Sequence, residues 1–72
     1  MPEPVKTFDP FFSLKQFNGQ PDTSGINWSY VKFSSAAKRS AFIATCHANG
    51  YRTRTEYEQA GYFLVQVHHY AD

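Results

Sequence analysis

Residues 50–70 read "GYRTRTEYEQAGYFLVQVHHY", and the folding of this stretch decides the architecture. Tyr51, Thr53, Thr55 and Tyr57 alternate strictly with Arg52, Arg54, Glu56 and Glu58. A period of two is that of a strand with one dry and one wet face. On this reading the tyrosines and threonines point inward and all four charged side chains point to solvent. "QAG" (59–61) then reads as a tight hairpin, and "YFLVQVHHY" as the returning strand.

Working upstream, "SSAAKRSAFIATCHAN" (34–49) has helical character, with Ser34 or Ser35 as N-cap and Gly50 as a left-handed C-terminal cap. "INWSYVKF" (26–33) is rich in strand formers. The order is β-α-β-β, and the most apolar strand, from Tyr62 to Tyr70, belongs between the other two. The expected fold is α+β: a three-stranded antiparallel or mixed sheet, half of a ferredoxin-like sandwich, with one helix on one face. At about 100° per residue, Phe42, Ile43 and Cys46 share one side of that helix and face Val31, Phe33, Phe63, Val65 and Val67. Ala37, Ala41, Ala44 and Ala48 form a stripe on the other side.

Residues 1–25 read as an N-terminal arm, ahead of a domain spanning 26–72. Pro2, Pro4, Pro10, Pro21, Gly19 and Gly25 interrupt any period in the arm. Yet it carries Phe8, Phe11, Phe12, Leu14 and Phe17, and a disordered tail is poor in aromatics. The arm is therefore expected to pack, on the alanine stripe ahead of a partner; for the stripe itself the alternatives are plain exposure and, third, a symmetric dimer. "DPFFSLKQF" reads as one short helix with Asp9 as N-cap and Pro10 at its first position, and "NGQPDTSG" as a loop.

Seventy-two residues make one small domain with a marginal core. Cys46 is the only cysteine, so no internal disulfide or cysteine-built zinc site supports it, and a reducing compartment is expected. Seven Phe, five Tyr and one Trp supply the core material instead. A formal charge of +1 argues against a DNA mimic or a general polyanion binder. No apolar run approaches the roughly 20 residues of a membrane span, and the start lacks the pattern of a signal peptide. The expectation is a cytoplasmic protein without membrane association, either a monomer or a homodimer.

The run "YVKFSSAAKRSAFIATCHANGYRTRTEYEQAGYFLVQV" (30–67) resembles the sandwich unit of the ribonuclease E regulator B family. The shared features are a strand ending near Phe33, a Ser-capped Ala-rich helix carrying Phe42, the turn "NGY" and a hairpin. The resemblance implies a small bacterial or phage protein that binds and inhibits a nuclease or a nucleic-acid-processing complex.

No catalytic constellation stands out. His68 and His69 point to opposite faces of a strand and cannot chelate one ion together, and His47 diverges from its helical neighbour Cys46. No glycine-rich phosphate loop or paired carboxylate is visible, so neither an enzyme nor a cofactor or metal is expected. The candidate binding residues form the sheet's wet face: Trp28, Tyr30, Lys32, Arg52, Arg54, Tyr62, His68 and Tyr70. Rings interleaved with cations suit single-stranded RNA or DNA, and the same composition suits protein hot spots. Glu56 and Glu58 on that face would repel phosphates, which ranks a protein partner above nucleic acid.

Overall fold

A computed structural model describes residues 8–71. A short 3-10 helix (Ser13–Phe17) leads into β1 (Gly19–Ser24) and β2 (Trp28–Phe33). The helix α1 (Ala36–Ala48) follows, then β3 (Thr53–Gln59) and β4 (Tyr62–His68). The strands form one antiparallel sheet in the order β1-β2-β4-β3. As its apolar content implies, β4 lies between β2 and β3. It pairs with β2 without interruption from Trp28↔His68 to Phe33↔Phe63.

The sheet has four strands, not three. The added one is Gly19–Ser24, which reads as a loop because only its first residue is buried and it contains Pro21. Such a strand shows no period-two apolar signal, and proline is tolerated there because the strand is at the sheet margin. Its pairing with β2 slips between Pro21 and Ser24. With β1 in place, β2 is an interior strand.

The helix begins at Ser35, whose backbone is extended and whose Oγ accepts from the Lys38 N–H at 3.4 Å. At its end Gly50 has φ 83°. The Gly50 N–H donates to the His47 carbonyl and the Tyr51 N–H to that of Cys46, the paired closure that satisfies the last carbonyls of a helix. Phe42 and Cys46 turn to the sheet and join Leu14, Val31, Phe33, Val65 and Val67 in a buried core. Ser29, a buried polar side chain among them, bonds its Oγ to His69 Nε2 at 2.6 Å.

The arm does not use the alanine stripe. Ala37, Ala41, Ala44 and Ala48 are all exposed. Instead Leu14 enters the core, Phe17 stands edge-on to Phe42 at 5.5 Å, and Phe8 to Tyr51 at 6.1 Å. Rings offer a phenylalanine far more contact area than a row of methyl groups does. The expected helix from Pro10 with Asp9 as N-cap is shortened to Ser13–Phe17, with Phe12 at its N-cap; Asp9 instead holds the turn ahead of it, its Oδ1 accepting from the Phe11 N–H at 3.0 Å, and Pro10 is buried. Gly19 lets the chain leave this turn tightly, since a Cβ there would collide with Phe33 and Leu14. The first seven residues of the arm, with Pro2 and Pro4, lie outside the described residues. Among the described residues no helix is long and apolar enough to cross a membrane.

Candidate ligand-binding face

The helix and the arm cover one face of the sheet. The composition of the other is decided by a single irregularity in β3. Arg54 pairs with Gln66 and Tyr57 with Leu64, so Thr55 and Glu56 together oppose Val65. Two residues against one is a β-bulge. Thr55 takes up the extra length with φ 55°, a left-handed conformation costly for a β-branched side chain.

The bulge and the turn are two ends of one register. The hairpin closes with only Ala60 and Gly61, at φ 53° and 81°, between the paired residues Gln59 and Tyr62. Two successive left-handed residues are what a tight hairpin turn requires. A three-residue "QAG" turn would leave a regular ladder. The two-residue turn draws Gln59 into the strand, and the surplus residue appears as the bulge.

The strict alternation expected for Tyr51–Glu58 therefore breaks at Thr55. Arg52 and Arg54 remain on the open face, whereas Tyr57 joins them and the two glutamates leave. Glu56 turns to the helix side, where Arg39 Nη2 meets its Oε1 at 3.8 Å. Glu58 lies opposite Phe63, one of the strand positions that face the helix.

Three clusters line the open face. At one end the Arg54 guanidinium lies 3.9 Å above the Trp28 ring, with Arg52 at 5.8 Å and His68 edge-on at 4.8 Å. Arg54 Nε also donates to Gln66 Oε1 at 2.9 Å. In the middle Tyr30 and Tyr57 meet edge to face at 5.6 Å. At the hairpin end Lys32 sits 4.7 Å over the Tyr62 ring and 3.9 Å from Asp22 Oδ1. Leu64, flanked across the strands by Lys32 and Tyr57, is only 3 % exposed although it faces outward. Partial burial, then the neighbouring Tyr30 and Asp22, push the Tyr57 phenol above its ordinary range.

The fold thus brings Trp28, Tyr30, Lys32, Arg52, Arg54, Tyr62 and His68 onto one surface. Tyr70 lies past the end of β4, exposed, with its ring 6.0 Å from that of His68. Sequence reasoning missed Tyr57, which it assigned to the dry side, and Asp22, which it left in a loop. Ala60–Gly61 read as a complete turn would have exposed the surplus residue and hence Tyr57. For Asp22 no sequence signal exists, because β1 has no alternation.

The histidines have partners within the fold. His47 Nε2 bonds Thr53 Oγ1 at 2.8 Å, and His68 Nδ1 bonds the Tyr70 carbonyl at 2.9 Å. Cys46 is fully buried, and burial pushes its thiol up to about 12. Among the described residues no three of His, Cys, Asp and Glu gather as metal ligands would. No family model, curated protein or solved structure matches the chain.

Proposed function

We propose that this protein binds single-stranded nucleic acid on the open face of its sheet. The observation that carries the reading is the bulge at Thr55–Glu56. With Glu56 and Glu58 turned to the helix side of the sheet, the like-charge repulsion that weighs against nucleic acid in the linear sequence is reduced. What remains among the described residues is four rings (Trp28, Tyr30, Tyr57 and Tyr62) interleaved with Lys32, Arg52 and Arg54, against one carboxylate already beside Lys32. Trp28, Tyr30 and Tyr62 sit on the two central strands of a four-stranded antiparallel sheet. By analogy of arrangement alone, this is how RNA-recognition sheets stack two or three bases. Bases stack on the rings or on the Arg54 guanidinium plane, and the cations hold the phosphates between them.

Trp28 is the only tryptophan, so its fluorescence reports on this face directly. Titration with oligouridylate and oligodeoxythymidylate should quench it. With three cations engaged, log K should fall against log salt with a slope of about −2, at about 0.7 per phosphate neutralised on a single strand. Arg52→Glu with Arg54→Glu should abolish the quenching while leaving the fold within about 0.5 kcal/mol per substitution. No quenching at low salt with either oligonucleotide overturns the reading.

A protein partner on the same face is the second reading. It is favoured by the ordering of this surface, where Arg54 is held by both Trp28 and Gln66 and Lys32 by Tyr62 and Asp22. Side chains ordered in advance lose less entropy on contact, and Trp, Tyr and Arg are the usual anchors. The resemblance to nuclease regulators makes a nuclease or a nucleic-acid-processing complex the partner class of this reading. Under it, the arginine pair remains sensitive while oligonucleotides leave Trp28 unchanged.

A further inference from the structure

Arg39 points from the first turn of α1 onto the bulge, and nothing in the sequence pattern gave it a role. Its side chain is 15 % exposed. Nη1 donates to two backbone carbonyls at once, Tyr57 O and Leu64 O, each at 3.3 Å. Nη2 faces Glu56 Oε1 at 3.8 Å, and the guanidinium lies 5.4 Å from the Phe63 ring centre. Its Nε is buried without a hydrogen-bond partner. Two of these contacts, those to Tyr57 and Glu56, involve residues whose facing depends on where the surplus residue of the hairpin is accommodated, and the other two are to their β4 neighbours.

That residue has two possible positions. In the observed register it is the bulge, and the turn is Ala60–Gly61. In the alternative it enlarges the turn to Gln59–Ala60–Gly61, and the ladder beyond Arg54 becomes regular. Thr55 then opposes Val65, Glu56 opposes Leu64, Tyr57 opposes Phe63 and Glu58 opposes Tyr62. A one-residue slip sends every side chain of the segment to the other face. The open face would lose Tyr57 and gain two carboxylates. The alternative also relieves Thr55 of its positive φ, so the observed register needs a specific contact to hold it.

We infer that Arg39 is the residue that selects the bulged register and thereby decides whether the open face is aromatic and basic or acidic. Only in the bulged register do the Tyr57 and Leu64 carbonyls converge on one nitrogen while Glu56 is on the helix side to meet the other. A bidentate guanidinium can hold this arrangement; a lysine ammonium cannot reproduce its fork. Arg39 touches none of the outward-facing rings and acts through Tyr57 as a positioning residue. The consequence for ligand binding rests on the nucleic-acid reading above; the consequence for register does not.

The test reads both. In Arg39→Met, cross-strand NMR contacts should change from Tyr57–Leu64 to Tyr57–Phe63, and the Tyr30–Tyr57 ring contact should vanish. Oligouridylate affinity should fall by about tenfold or more, the worth of a stacked base combined with two added carboxylates. Deleting Thr55 provides the control, because it removes the surplus residue and leaves Arg54–Gln66 and Tyr57–Leu64 paired in a regular ladder. In that background Arg39→Met should change neither the pairing nor the affinity. A folded Arg39→Met protein that keeps the Tyr57–Leu64 pairing overturns the inference. So does a Thr55-deleted chain in which Arg39→Met still moves Tyr57. If Arg39→Met alone does not fold, the Thr55 deletion must restore folding, and its failure to do so counts against the inference. Should the unaltered protein bind no oligonucleotide, the proposed function falls, while the NMR pairing still decides the role of Arg39.

Discussion

Thr55 and Cys46 carry the clearest consequences at the scale of single residues. Thr55 holds φ 55° with a branched Cβ, a state that costs on the order of 1–3 kcal/mol. Thr55→Gly should stabilise the fold by about 1 kcal/mol, because glycine adopts this conformation freely but loses some of the gain to its greater unfolded-state entropy. Urea unfolding measures this, and a loss of stability would mean that the threonine side chain contributes more than its strain. Cys46 is fully buried with its thiol raised from 9.0 to about 12. Below pH 9 both the folded and the unfolded chain hold that proton, and the contribution is constant. Between about 9 and 12 only the unfolded chain releases it, so stability falls with rising pH, by up to about 1.4 kcal/mol per unit. Cys46→Ala should remove this component, leaving the same-signed effect of the raised Tyr57 phenol. A thiol reagent at neutral pH should label Cys46 only at the rate of unfolding; labelling faster than that would show that it is accessible.

Among the elements, α1 separates core from surface most sharply. Phe42 is fully buried between Phe17 and Phe33, with ring centres at 5.5 and 5.1 Å, so Phe42→Ala should cost about 3–5 kcal/mol. Ala44→Lys, on the exposed stripe, should stay within about 0.5 kcal/mol. Chemical denaturation of the two variants compares them directly, and a large loss for Ala44→Lys would mean that the stripe is covered. The helix, its two caps, β2, β4 and the inward set Val31, Phe33, Val65 and Val67 were legible in the sequence because each has a period or a cap residue. Trp28, Tyr30 and Lys32 followed from the same alternation. β1 was not legible, since its pairing is made by backbone groups and its side chains face solvent. Nor was the outward turn of Tyr57, which depends on competition between two hairpin turns and on the distant Arg39, neither of which a local alternation records.

For the whole molecule, the arm is part of the core rather than an appendage to it. Leu14 and Pro10 are buried and Phe8, Phe11 and Phe17 pack against the cluster. Deleting residues 1–18 should therefore expose Phe33 and Phe42 and cost several kcal/mol, at about 1.5–3 kcal/mol per large side chain withdrawn. In a domain of this size that is a large share of the total. Circular dichroism melting of the truncated chain checks it, and an unchanged midpoint would show that the sheet and α1 are sufficient alone. The two outermost strands share a further property. Pro21 lacks an amide hydrogen and breaks the β1 ladder, while the bulge and the charges of Arg54, Glu56 and Glu58 roughen β3. Straight, bare outer strands are the templates on which sheets recruit further copies into ribbons and fibrils. Here each margin is spoiled by a different device, so the bulge that sets which side chains line the open face also leaves β3 a poor template for a further strand.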